Sequence, residues 1–300
     1  MTSPHALTPR LALLLSLPPL LWAGNAVVGK LLVPAVPPAL LNLLRWSLAL
    51  TLLLPLTQHL WRERCLLAQH WRWLAGTGLL GMGLYNALLY RALHSSGPLN
   101  VTLTGRQPAA FHAVGGPAGL GVRPTGHQAL GAVLSLLGVA VVISQGEWQR
   151  LRQVAFVQGD VLMLLANLAW ALYSWLLARA PKELTHWSWA DLLAAQALFG
   201  LGFALLSSLA EQVAGAPPVQ WSGTLLLGLL YIAVGPSLIA YRCWGLGVRE
   251  AGPALTGFFI NLTPLFAALL SAALIGSTPR AFHALAFALI AAGILVSSRR

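Results

Sequence analysis

The sequence predicts an all-α integral membrane protein with about ten transmembrane helices, arranged as two inverted five-helix repeats. Three observations predict this fold: the composition, a series of long uncharged stretches, and one stretch that occurs twice. Hydrophobic residues make up 57% of the chain and charged residues only 8%, whereas about a quarter of the residues in a soluble protein are charged. So few charges cannot cover a water-facing surface, but helices in lipid keep apolar outer faces. The composition therefore excludes a soluble domain.

Stretches without Asp, Glu, Lys or Arg alternate with short breaks rich in proline, glycine or charge. A helix needs about 20 mostly apolar residues to cross a hydrocarbon core of about 30 Å, and the proline- and glycine-rich breaks mark its ends. The first stretch is predicted to be a retained span, because no small-residue cleavage pattern of a secretory signal closes it. The predicted spans are residues 11–32, 38–57, 73–93, 99–120, 126–145, 157–178, 188–210, 222–242, 252–275 and 281–298.

One stretch of sequence occurs twice. Residues 123–138 read RPTGHQALGAVLSLLG, and residues 278–293 read TPRAFHALAFALIAAG, at an offset of 155 residues that places Gly138 on Gly293. These stretches open the fifth and tenth predicted spans. Because five is odd, a second copy of a five-helix unit enters the membrane from the opposite side, as in the inverted repeats of transporters.

Two repeated residue pairs support the same division of the chain. The pair Tyr90-Arg91 recurs as Tyr241-Arg242 at the ends of spans 3 and 8, and Gly97-Pro98 recurs as Gly252-Pro253 before spans 4 and 9. The predicted domains are therefore residues 1–146, the first five-helix repeat, and residues 147–300, the second.

The distribution of basic residues predicts the orientation. With the N-terminus inside, the cytoplasmic ends hold 11 of the 18 basic residues, which the positive-inside rule favours; they are Arg10, Arg62, Arg64, Arg72, Arg123, Arg179, Lys182, Arg242, Arg249, Arg299 and Arg300. Both termini are thus predicted to be cytoplasmic in a multi-pass protein of the cell membrane.

The residues that give the net charge of +11 are scattered over the span ends, without the cluster of basic and aromatic residues that marks a nucleic-acid site. Cys65 and Cys243 have no metal or redox spacing, and no cofactor is predicted.

Several segments together resemble one family, the EamA-type permeases of the drug/metabolite transporter superfamily. They are LWAGNAVVGK (21–30), NLLRWSLAL (42–50), QGDVLMLLANLAWALYSWLLAR (158–179), FINLTPLFAALLSAALIG (259–276) and PRAFHALAFALIAAGI (279–294). Their order and spacing cover essentially the whole chain. The resemblance implies a bacterial inner-membrane permease that works as a monomer or a homodimer.

The sequence also departs from that family. Ala23 stands where the family usually has glycine, and Gly121-Val122 and Gly276-Ser277 stand where it commonly has Gly-Glu. The larger departure is residues 105–122, GRQPAAFHAVGGPAGLGV, in place of an apolar fourth span. Glycine costs about 1 kcal/mol and proline about 3 kcal/mol inside a helix, and an arginine such as Arg106 costs a few more in lipid. Two explanations stay open: a weakly inserting span, or an altered reading frame.

Polar and aromatic groups inside the spans are the candidate substrate-binding residues, because polar groups in lipid are costly. Arg45 could bind an anionic group or a carbonyl, or it could snorkel to the interface or bond a neighbouring helix. Asn261 precedes Pro264, which frees a backbone carbonyl for a solute or simply kinks the helix. Each of the remaining candidates could either line the pocket or pack against a neighbouring helix. The full candidate set is Trp22, Asn25, Arg45, Tyr85, Asn86, Trp170, Tyr173 and Asn261.

The leading functional prediction is a permease that moves a small metabolite by alternating access of its two halves through a central cavity. The resemblance implies an amino acid-like solute, a related metabolite or a drug-like compound, and the residues select none of these. No acidic residue lies clearly mid-span, so proton antiport has no direct support. A membrane enzyme is the rival class, but the sequence contains no HExxH motif, nucleotide loop or nucleophile elbow. A non-transporting or defective membrane protein of the same fold is the alternative that the irregular fourth span leaves open.

Overall fold

The computed structural model describes residues 7–95, 125–144, 147, 149, 158–275 and 281–297. Throughout these ranges the chain forms helices joined by turns, without any β-strand, so the predicted all-α class is confirmed. Four of the described helices are long and apolar enough to cross a membrane: Pro9–Leu32, Pro38–Leu56, Trp189–Val213 and Gly223–Leu270. Shorter apolar helices cover Ala129–Gly138, Val161–Leu177 and Ala281–Ser297.

The first half begins with a capped helix. Thr8 Oγ1 accepts a hydrogen bond of 3.2 Å from the backbone N–H of Leu11, and Pro9 follows in the first turn, where a missing N–H costs nothing. The helices of this half are α1 (Pro9–Leu32), α2 (Pro38–Leu53), α3 (His59–Arg62), α4 (Arg64–Gln69), α5 (Trp71–Gly78), the π-helical segment Leu79–Leu84, α6 (Tyr85–Ser95) and α7 (Gly126–Ser144).

Serine side chains start two helices of the second half. Ser188 Oγ accepts a hydrogen bond of 3.1 Å from the N–H of Asp191, and Ser222 Oγ accepts one of 3.1 Å from the N–H of Leu225, which satisfies N–H groups that lack helical partners. The helices are α8 (Gln158–Leu177), α9 (Trp189–Val213), α10 (Gly223–Ile232), the π-helical segment Ala233–Ile239, α11 (Ala240–Phe259), α12 (Thr263–Ile275) and α13 (Ala281–Ser297).

The predicted break between residues 242 and 252 is wrong in its position. Helix α11 continues through those residues and changes direction only at Gly252, where φ is 81° and ψ is 161°. Glycine adopts this positive φ without steric cost, and Pro253, which follows it, has no N–H to continue the earlier ladder. The predicted span 99–120 lies outside the described residues, so the count of ten spans stays a prediction.

Helices α7 and α13, which carry the repeated stretch, pack directly against each other. A Cβ built on Gly131 would lie 2.5 Å from the carbonyl oxygen of Gly293, and one built on Gly138 would lie 2.8 Å from that of Ala286. Residue numbers rise along α7 as they fall along α13, so the two helices run antiparallel. An offset of 155 residues places Gly131 on Ala286 and Gly138 on Gly293. The two contacts therefore map onto each other.

The two π-helical segments also occupy equivalent positions. Shifted back by the 155-residue offset, Ala233–Ile239 falls on residues 78–84 and overlaps Leu79–Leu84. A π-helical turn contains an extra residue and is frequent at functional sites. Around these segments α2 packs on α9, α6 packs on α8, and α1 packs on α11 and α12. The two widened turns thus lie inside the bundle, next to its main buried core.

Candidate functional site

Arg45 of α2 is buried between the two halves of the chain. Only 1% of it is exposed. Its Nε donates a hydrogen bond of 2.5 Å to Ser237 Oγ in the second π-helical segment, and its Nη1 donates to Asn86 Oδ1 at 2.7 Å and to Tyr90 OH at 3.0 Å. Arg45 forms no ion pair with any carboxylate in the part of the chain that the structure describes. A buried guanidinium is thus held by neutral oxygens alone.

These bonds extend into a larger buried network. The hydroxyl of Tyr90 donates to Asn25 Oδ1 of α1 at 3.0 Å. Asn86 Nδ2 donates to the backbone carbonyls of Gly81 and Met82, at 3.2 Å and 3.3 Å, in the first π-helical segment. The extra residue of a π-helical turn makes such carbonyls accessible to side-chain donors. We call the set Asn25, Arg45, Asn86, Tyr90 and Ser237 the Arg45 cluster.

The contact between Arg45 and Ser237 has an apolar counterpart. Under the offset of 155 residues, Arg45 corresponds to Gly200 and Ser237 corresponds to Met82. Gly200 and Met82 are also neighbours, because a Cβ built on Gly200 would lie 2.8 Å from Met82 Cβ. The same pair of positions therefore holds a charged hydrogen bond on one side of the bundle and a close apolar contact on the other.

Aromatic rings fill the space beside the Arg45 cluster. The ring of Trp170 in α8 lies 4.9 Å from those of Trp22 and Tyr173 and 5.1 Å from that of Tyr85, between centroids. Trp22 Nε1 donates a hydrogen bond of 3.1 Å to the carbonyl oxygen of Pro236, which ties α1 to the second π-helical segment. The Trp170 cluster consists of Trp22, Tyr85, Trp170, Tyr173, Tyr241 and Trp244.

A cavity of about 420 Å³ adjoins the Trp170 cluster, between α8, α9, α11 and the connection from α8 to α9. Tyr173, Gln196 and Tyr241 line it on the side of the core, and Arg242 and Arg249 also line it. The hydroxyl of Tyr241 donates to the Gly81 carbonyl and lies 3.5 Å from Asn86 Nδ2. We call this space the α11 cavity. Tyr241 thus contacts both the α11 cavity and the Arg45 cluster.

The connection from α8 to α9 is fastened to the segment between α3 and α4. Glu63 Oε2 accepts a hydrogen bond of 2.7 Å from Trp187 Nε1 and lies 2.8 Å from His186 Nε2. The hydrogen bond from the indole N–H, and to a smaller extent the one to the imidazole, favours the ionised carboxylate and lowers the pKa of Glu63 below its ordinary value. Because Trp187 also lines the α11 cavity, these bonds fix one wall of it.

The structure brings most of the predicted site residues together. Trp22, Tyr85, Trp170 and Tyr173 belong to the Trp170 cluster, and Asn25, Arg45 and Asn86 belong to the Arg45 cluster. Asn261 lies apart, and neither polar atom of its buried side chain has a hydrogen-bond partner among the described residues. That these residues bind a solute stays a prediction.

Sequence reasoning missed four members of the site: Tyr90, Ser237, Tyr241 and Trp244. The two tyrosines carried a signal, because each stands before an arginine at the end of an equivalent span. This repeated Tyr-Arg pair indicates the internal repeat but does not by itself predict a contact with Arg45. Ser237 carried none, since a serine in an apolar helix usually bonds its own backbone. Among the described residues no group of three or more His, Cys, Asp or Glu side chains could hold a metal ion.

Comparison with known proteins decides the family. The sequence matches the EamA-like transporter family over residues 10–144 and 157–299. The chain belongs to the EamA-like transporter family. This confirms the resemblance that its segments suggest, and it identifies a multi-pass membrane protein of a transporter family rather than an enzyme.

Individual relatives of the chain are also described as transporters. An uncharacterized transporter of Archaeoglobus fulgidus is 27% identical over 290 residues, which is 96% of this chain and 97% of that protein. The uncharacterized transporter YyaM of Bacillus subtilis is 26% identical over 224 residues, covering 74% of this chain and 71% of YyaM. A solved crystal structure of a protein superposes with a TM-score of 0.70 at 25% identity and covers 96% of both chains. The names of these relatives specify no solute.

Proposed function

We propose that this EamA-like protein is a permease of the bacterial inner membrane that moves a small metabolite by alternating access through a central cavity. The solute is amino acid-like, a related metabolite or a drug-like compound. In this proposal residues 1–146 and 147–300 are inverted five-helix repeats with ten spans in all, and both termini are cytoplasmic. The protein acts as a monomer or a homodimer.

The antiparallel contact between α7 and α13 supports the inverted arrangement. These helices carry the repeated stretch, and their two glycine contacts map onto each other under the 155-residue offset. Two equivalent helices that run antiparallel have opposite directions in the bilayer. The equivalent positions of the two π-helical segments support the same division. Inverted repeats of this kind typically enclose a binding site near the bilayer midplane.

The observation that carries the proposal is Arg45. A guanidinium inside membrane-spanning helices is costly, and such a residue marks a functional site by default. Arg45 donates to Asn86 and Tyr90 of the first half and to Ser237 of the second, so it lies where two moving halves would meet. We propose that the Arg45 and Trp170 clusters bind the solute between them, with Arg45 holding a polar group and the rings holding an apolar one. Asn261 belongs to neither cluster and stays a separate prediction.

The test begins with finding the solute. Intracellular and extracellular metabolites are compared between cells that overexpress the gene and cells that lack it, and a metabolite that changes in opposite directions is then loaded into liposomes with the purified full-length chain. We expect protein-dependent flux, and we expect Arg45→Ala to lower it at least tenfold, since a hydrogen bond to a charged group contributes about 1.5–3 kcal/mol. Arg64→Ala is the matched control, because Arg64 is exposed in α4.

The outcomes of these experiments test the role of Arg45, the transport activity and the topology separately. Flux that Arg45→Ala leaves unchanged, in a variant that melts like the parent, would remove Arg45 from the binding site. Arg45→Lys should restore little, because lysine cannot reproduce the fork of donors. A folded protein that moves no solute favours the non-transporting alternative. Tags at the N-terminus and in the connection 144–153 test the topology: ten inverted spans require them on opposite sides of the bilayer.

A further inference from the structure

The α11 cavity has a one-sided distribution of charge. Arg242, Gly245, Leu246 and Arg249 all line it, and their spacing of three, four and seven residues places them on one face of α11. The two arginines lie about two helical turns apart, and the two small or apolar residues lie between them. No aspartate or glutamate is among the lining residues. The cavity therefore presents two guanidinium groups and no carboxylate.

Neither guanidinium is neutralised by a neighbour. Within the residues that the structure describes, Arg242 and Arg249 form no ion pair and donate no side-chain hydrogen bond, and both are exposed. The guanidinium of Arg242 lies 4.8 Å from the centre of the Trp189 ring, a cation–π contact that orients the side chain without cancelling its charge. Asp191 bonds His59 and Glu183 lies 3.6 Å from His70, and Glu250, which follows Arg249 in the chain, is not among the residues that line the cavity.

The inner wall of the cavity combines hydrogen-bonding groups with apolar surface. Gln196 is 2% exposed, and its Oε1 accepts a hydrogen bond of 3.4 Å from the Tyr173 hydroxyl. Trp187, Leu193 and Val248 supply apolar surface to the same space. The volume of about 420 Å³ falls in the range of small-molecule sites, which have mostly apolar walls and a few polar groups.

We propose that the α11 cavity is a binding site for a small organic anion, a carboxylate, sulfonate or phosphate on a compact apolar body. Arg242 and Arg249 hold the acidic group, because a guanidinium matches the geometry of such oxyanions. Trp187, Leu193 and Val248 hold the apolar body. Tyr241, which lines the cavity, is linked through Asn86 to Arg45. The proposal rests on the proposed transport function and assigns its solute class.

Binding to the full-length chain in nanodiscs of a zwitterionic phospholipid tests the charge preference directly. The probes are benzenesulfonate, which carries a permanent negative charge, and benzyltrimethylammonium, a permanent cation with the same ring. Titration calorimetry should give saturable binding of benzenesulfonate and none of the cation. Equal binding of both would overturn the proposal, and so would binding of neither.

Two variants locate the site. Arg242→Gln and Arg249→Gln should each weaken benzenesulfonate binding about tenfold, since each removes a charge-assisted hydrogen bond. Arg64→Gln removes the same charge from an exposed position outside the cavity and should leave the affinity unchanged. Unchanged affinity in both cavity variants would overturn the proposal, as would an equal loss in Arg64→Gln.

The same oxyanion chemistry could come from a lipid headgroup instead of a solute. Nanodiscs in which about half of the phospholipid is anionic separate the two sources. A solute site keeps its affinity for benzenesulfonate within about threefold, because exposed charges a Debye length away are screened in about 0.15 M salt. Loss of all benzenesulfonate binding in these nanodiscs would assign the arginines to lipid and overturn the proposal. Flux of another solute without anion binding would refute this inference and leave the proposed transport function standing.

Discussion

Replacing Gly293 by alanine should force α7 and α13 apart. The new Cβ would lie 2.3 Å from Ser135 Oγ, 2.6 Å from the Gly131 carbonyl oxygen and 2.9 Å from the Ser135 backbone nitrogen. Ordinary contacts of a Cβ begin at about 3.4 Å, and two of these three neighbours are backbone atoms that no side-chain rotation can move. The helices must therefore separate by nearly an ångström at this point.

The expected loss of stability follows from that separation. Overpacking typically costs 1–3 kcal/mol, and a gap of 0.5–1 Å forfeits a quarter to a half of each van der Waals contact nearby, so we take the upper value of about 3 kcal/mol. Alanine recovers about 1 kcal/mol of helix propensity relative to glycine. The net loss is about 2 kcal/mol, which lowers the melting temperature by roughly 4 °C in a chain of this size.

Thermal unfolding of the purified protein in detergent, followed by tryptophan fluorescence, measures the effect. Gly202→Ala is the matched control, because nothing lies within 4 Å of a Cβ built on Gly202 in α9, and it should melt at or above the parent temperature. The melting temperature of Gly138→Ala should lie between those of Gly293→Ala and Gly202→Ala, because one of the atoms that its new Cβ would meet, at 2.9 Å, belongs to the flexible Ile290 side chain. A Gly293→Ala protein that melts with or above the parent would refute the reasoning.

Two further perturbations test the polar contacts. Ser237→Ala removes the acceptor of Arg45 Nε and leaves a buried charged donor unpaired, which costs about 1–3 kcal/mol and should lower the melting temperature by roughly 2–6 °C. Glu63→Gln tests the pH dependence: the lowered pKa of Glu63 means that its stabilisation is complete above its ordinary pKa of 4.5 and is lost as pH falls through the lower folded value. The parent should therefore melt above Glu63→Gln at pH 6, and the difference should vanish in acid.

Both experiments have internal controls. Ser207→Ala removes an exposed hydroxyl that bonds the carbonyl of Phe203 and should leave the melting temperature within about a degree; an equal effect of both serine changes would contradict the role given to Ser237. For Glu63, a difference in melting temperature that persists unchanged below its folded pKa would show that the carboxylate charge is not the cause.

The helices were largely predictable because lipid imposes a simple rule on composition. The predicted span 188–210 corresponds to Trp189–Val213, where Ser188 supplies the cap and a long apolar run follows. Sequence reasoning placed the break too early because it took Tyr241-Arg242 as the end of a span, whereas the helix continues to the Gly252-Pro253 pair. It also gave no sign of the π-helical segments, since one extra residue in a turn leaves an apolar run unchanged.

The sequence predicted which types of residue form the site, but it did not predict which residues form hydrogen bonds with one another. Arg45, Asn86 and Asn25 stood out because polar groups are rare in apolar helices. Their partners depend on how distant helices pack, and Ser237 lies 192 residues from Arg45 along the chain. The α11 cavity escaped prediction for a related reason: Arg242 and Arg249 fit the positive-inside rule, so their charge had an explanation before the space beside them was known.

The unequal pairs Arg45–Ser237 and Gly200–Met82 make the two proposed repeats chemically different at equivalent positions. If the halves were chemically identical, exchanging their conformations would produce two forms of the same free energy. Here a guanidinium–hydroxyl bond has only a glycine–methionine contact as its equivalent, so exchanging the two conformations would not return the same free energy. Each 1.4 kcal/mol of such imbalance shifts the ratio of two forms tenfold, so in the proposed alternating-access cycle the protein without solute would rest mainly with one side open.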